Sequence, residues 1–72
     1  MMTSSEIRKK YYDVCYKQKL NFLFNNEQLT EQFYAQRKLI ESMVSNREEL
    51  DATHTKAVEK AEKDFNFFTS LD

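Results

Sequence analysis

Apolar residues recur in steps of three and four along most of the chain, from Leu29 to Phe68. The series runs Leu29, Phe33, Ile40, Met43, Leu50, His54, Ala57, Val58, Ala61, Phe65 and Phe68, with Gln36 and Arg47 in phase. At ~100° of turn per residue these positions stay on about a third of a helix circumference for roughly forty residues. The repeat, near ~3.5, is the spacing at which helices wind around one another. The stripe therefore predicts one long helix over about 28–70. Such a helix would extend about 65 Å.

A shorter helix is predicted upstream, over about 5–24. Thr3-Ser4-Ser5-Glu6 can open it, because a threonine and a glutamate three residues on satisfy early backbone N–H groups. This helix has two apolar faces. Ile7, Tyr11, Val14, Cys15 and Phe22 form one. Tyr12, Tyr16, Leu20 and Leu23 form the other, roughly 120–140° around the axis. Two faces predict two neighbours, as in a bundle built from more than one chain.

Asn25-Asn26-Glu27-Gln28 separates the two patterns and places a turn at about 25–27. Asparagine tolerates the left-handed conformation that ends a helix and also caps the start of the next. The expected fold is all-α, a single domain over residues 1–72. It is an antiparallel helical hairpin whose long second helix continues as a coiled-coil-like segment. Ile7, Tyr11, Val14 and Phe22 would meet Leu29, Phe33, Ile40 and Met43 in the hairpin core. The alternative is a compact three-helix bundle with a second break near 45–49, where Ser45 with Glu48, or Asn46 with Glu49, could cap a third helix. The stripe crosses those residues without losing phase, which favours the single long helix.

Composition narrows the class further. The chain has 72 residues and neither glycine nor proline. Tight turns between strands use those residues, whereas helices are unhindered without them. With 40% hydrophobic and 32% charged residues, it is too apolar for a disordered tail. One cysteine and one histidine provide neither a disulfide framework nor a structural zinc site. Below ~80 residues a lone core is marginal, so association is the expected further source of stability.

The net charge of −1 is unevenly spread. Residues 1–20 carry +3, residues 21–40 balance, and residues 41–72 carry −4. No run of ~18 apolar residues offers a membrane span, and the start of the chain lacks the apolar core of a signal peptide. With a free cysteine, these features fit an intracellular, cytoplasmic protein.

Candidate chemistry is sparse. Cys15 on an antiparallel hairpin should face residues near 37–40 rather than His54, so no Cys–His pair is expected. Asp51 is the one possible ligand three or four residues from His54 on its own helix. Two ligands do not hold zinc, so no metal is expected. His54, Gln36 and Arg47 read instead as polar seam residues that set register. No glycine-rich loop can cradle a phosphate, and no cofactor is expected. The first helix carries Arg8, Lys9, Lys10, Lys17 and Lys19 among its tyrosines, a composition found on nucleic-acid and acidic-membrane surfaces. The slightly negative total and the missing motif argue against both partners.

The function expected from these features is a non-catalytic protein-interaction module. It would self-associate or serve as a structural subunit through the seam. Leu50, His54, Ala57, Val58, Ala61, Phe65, Phe67 and Phe68 would form the interface, with Tyr12, Tyr16, Leu20 and Leu23 on the first helix. One alternative is a small helical chaperone or regulator that clasps another protein's amphipathic segment. Another is a nucleic-acid binder acting through the basic first helix.

Overall fold

In the computed structural model, which describes residues 3–71, Thr3 opens the first helix. Its hydroxyl accepts from the Glu6 N–H at 3.2 Å and faces the Glu6 carboxylate at 3.2 Å. The helix, α1, spans Ser4–Leu23. It ends on Asn25, whose φ of 61° is left-handed. The Asn26 N–H then reaches the Asn21 carbonyl at 2.8 Å and the Asn25 N–H reaches Phe22 at 3.0 Å. This is the paired closure that glycine usually provides. Asn26 next accepts from the Leu29 N–H at 3.2 Å and starts α2, Glu27–Ser42.

The long second helix does not exist. The helix α2 stops at Ser42, and Asn46 starts a third, α3, over Arg47–Thr69, by accepting from the Glu48 N–H at 3.1 Å. The hairpin continuing as a coiled coil is thereby corrected to a compact three-helix bundle, with the break at 43–46, overlapping the start of the 45–49 stretch. Its longest dimension is 43 Å, too short for the extended arm. Phase survives the break for a simple reason. The connection 43–46 adds four residues, about one helical turn, so the stripe resumes in register on a helix running the other way.

Both faces of α1 are covered from within the chain. The helices α2 and α3 each pack along α1 and hardly touch one another. Tyr11, Val14, Cys15, Ile40, Leu50 and Ala57 form the core, with Ile7, Tyr12, Tyr16, Phe33 and Val44 packed against it. Ala57 and Ala61, both 0% exposed, let α3 sit close to α1. Leu50, fully buried near the connection, contributes about 1.5–3 kcal/mol by leaving water. The tyrosine face thus meets α3 of the same molecule, and nothing in the fold forms a coiled-coil seam.

The helix α2 sits rotated from the orientation its stripe implied. Thr30, Phe33, Arg37, Ile40 and Glu41 turn toward the bundle, while Leu29 at 36% exposure and Met43 at 62% turn outward. Phe22 is also outside the core, at 59%. In this orientation Glu41 and Arg37 reach Tyr11 and Gln18 on α1.

Candidate functional site: a cleft between α2 and α3

Because α2 and α3 meet mainly through side chains, a cleft of about 290 Å³ remains between them. Cys15 and Gln18 of α1 line it together with Arg37 of α2 and His54 and Val58 of α3. Lys19 and Phe22 stand at its mouth, with the Lys19 ammonium 5.2 Å from the centre of the Phe22 ring. Among the described residues no carboxylate pairs with Lys19. Phe22 also borders a second depression, whose other walls, among them Asn26, Glu27, Thr30 and Glu31, are polar.

Arg37 organises the cleft wall. Its Nε donates to the Glu41 carboxylate at 2.9 Å, and its Nη1 reaches Gln18 Oε1 at 3.0 Å and His54 Nε2 at 3.4 Å. Glu41 also accepts from the Tyr11 hydroxyl at 2.7 Å. Lys38 stands 3.4 Å and Arg47 4.0 Å from the same carboxylate. Burial alone would raise the Glu41 pKa, but the Tyr11 and Arg37 bonds outweigh it and hold the carboxyl at about 2. Burial and the bond to Glu41 push the Tyr11 hydroxyl upward. The His54 imidazole is held below its usual range, first by burial and then by the Arg37 charge.

Burial pushes the Cys15 thiol to about 11, so at neutral pH it is a protonated apolar group. The fold places Cys15 and His54 on the same cleft although the hairpin reading separated them. Among the described residues no three metal-ligating side chains gather.

The residues expected at an interface divide by depth. Leu50, Ala57 and Ala61 lie inside the chain's own core and cannot meet another molecule. Tyr12, Tyr16, Leu20, Leu23, His54, Val58 and Phe65 are half-buried. Tyr16 donates to Asp64 at 2.5 Å, and that bond, ahead of burial, lifts its hydroxyl to about 12. Phe67 and Phe68 are exposed and stack edge-on at 5.9 Å. Phe65 packs edge-on against Phe24 at 4.9 Å, which closes the end of the bundle from within. Of the polar positions taken as seam residues, Gln36 and Arg47 face solvent.

The basic first helix is similarly divided. Arg8, Lys9 and Tyr12 share a broad groove of about 650 Å³ with Lys56 of α3, but Arg8 pairs with Glu49 there at 3.3 Å. Lys17 pairs with Asp13 at 3.0 Å. Tyr11 is buried and Tyr16 is bonded to Asp64, so the tyrosines are not arrayed as a stacking platform. No described helix is long and apolar enough to cross a membrane.

Sequence reasoning missed Gln18, Arg37 and Glu41, and read Lys19 only as one of the basic residues of the first helix. The only sequence mark of the network is the four-residue spacing of Arg37 and Glu41, which reads equally well as a solvated surface pair. Compared with protein-family models, curated proteins and solved structures, the chain matches none.

Proposed function

We propose that this chain is a small non-catalytic helical regulator or chaperone that clasps an amphipathic helix of another protein in the cleft between α2 and α3. One observation carries this reading: Phe22, 59% exposed, stands at the mouth of a cleft lined by Val58 and Cys15. An apolar helix face laid on Phe22 and Val58 would complete the missing side of the bundle, as in other helix-in-groove recognition. Lys19 beside Phe22, which pairs with no carboxylate among the described residues, favours an acidic edge on the incoming helix. A Cys15 thiol that stays protonated near neutral pH serves this reading as an apolar wall of the cleft. A reducing intracellular setting suits the free thiol.

The test uses two leucine-faced model helices, one edged with glutamate and one with lysine, titrated into isotope-labelled protein. The glutamate-edged helix should shift the amide signals around Lys19, Phe22 and Val58. Phe22→Asp should abolish the shifts, and Lys19→Glu should reverse the preference between helices. Equal shifts from a scrambled peptide, or shifts confined to other surfaces, would refute the reading.

A further inference from the structure

The contact that spans the cleft depends on a protonation state. Arg37 Nη1 lies 3.4 Å from His54 Nε2. A guanidinium has only donors, so Nε2 must be unprotonated to accept, with the ring proton on Nδ1. This contact joins α2 to α3 where the two helices otherwise hardly meet. Their other polar tie, Arg47 to Glu41 at 4.0 Å, sits next to the connection and cannot brace the far end of the cleft.

We propose that protonation of His54 releases α3 from Arg37 and opens the cleft over Cys15. A second proton turns the acceptor into a donor and sets two cations face to face. Arg37 stays in place because Glu41 and Gln18 hold it from α2 and α1. His54 is the partner that must move.

The surrounding charges have the right balance for such a switch. Lys19 on α1 and Arg37 on α2 oppose the imidazolium, while Glu41 on α2 and Asp51 on α3 favour it. Cys15, the remaining titratable group on the cleft, is uncharged near neutral pH. Glu41 is already engaged by Tyr11 and Arg37, which limits what it can offer His54. Burial and the Arg37 charge keep the closed-state imidazole below its ordinary value of 6.5. Opening returns it to water and towards that value. Acid therefore favours the open form, and Leu50, Ala57 and Ala61 hold α3 on α1 throughout. The consequence for helix binding rests on the proposed docking role, but opening itself is a property of the free chain.

Cys15 is the sole cysteine and lines the cleft, so it reports opening directly. The free protein is reacted with 4,4′-dithiodipyridine between about pH 5 and pH 8, each rate divided by that of the urea-unfolded chain at the same pH to cancel thiolate formation. The normalised rate should rise on acidification by up to about tenfold per pH unit below the free imidazole value, then level off. His54→Gln, checked for helicity, should give a flat profile. In parallel, the His54 ring signals of the unaltered chain should titrate below 6.5, the ordinary value. A profile shared by both proteins would overturn the proposal, and so would an imidazole titrating at or above the ordinary value. Neither readout involves a peptide, so failed helix binding leaves the switch standing, and a failed switch leaves the docking role standing.

Discussion

A carboxylate only 8% exposed in a chain this small would cost several kcal/mol if it were left unpaired. At Glu41 the cost is offset by the Tyr11 hydroxyl at 2.7 Å and the Arg37 guanidinium at 2.9 Å. The network ties α2 to α1, and its consequence for stability has a definite sign. Folding lowers the Glu41 pKa from 4.5 to about 2, so the unfolded chain binds more protons between those values. The contribution is fully present above 4.5 and is lost as pH falls through 2. It should amount to something on the order of 3 kcal/mol. Urea unfolding at about pH 6 and pH 2 should show the wild type losing that much more stability than Glu41→Gln. Equal losses would mean that the carboxylate is no more stabilised folded than unfolded. None of this was legible beforehand, because alternation of apolar residues cannot show that a charged pair has turned inward.

Among the elements, helix ends were more legible than helix faces. Thr3, Asn25, Asn26 and Asn46 all sit where their side-chain chemistry suits an end, because caps depend on a few neighbouring residues. Faces depend on what lies opposite, and α2 shows the consequence: Phe33 and Ile40 turn in while Leu29 and Met43 of the same stripe turn out. The 45–49 break was visible as a capping option, and the one-turn connection disguised it. Asn25 provides a direct test of how the first turn is held. At φ 61° a glycine is unstrained, whereas a β-branched residue clashes. Asn25→Gly should keep or slightly raise stability. Asn25→Val should lower it by about 1–2 kcal/mol. Thermal unfolding of the two variants checks the order, and the reverse order would remove the left-handed residue from the account.

For the whole molecule, the decisive fact is that α1 has α2 on one face and α3 on the other. The two-faced pattern of α1 was legible as a demand for two neighbours, but a one-dimensional pattern does not say whether they come from the same chain. Length points towards association, because a core this small is marginal alone; Ala57 and Ala61 answer by close approach of helices rather than bulk. The phenylalanines at the end of α3 divide by the same logic. Phe65 lies against Phe24 at 4.9 Å, while Phe67 is 60% exposed. Truncating Phe65 to alanine removes buried apolar area and leaves Phe24 without its partner, a loss of about 2–4 kcal/mol. Phe67→Ala removes a ring already largely in water and should shift stability by no more than about 0.5 kcal/mol. Denaturant midpoints of the two variants at equal protein concentration measure the difference. If the two phenylalanines proved equally costly, the bundle end would have to be closed by something other than the Phe24–Phe65 pair.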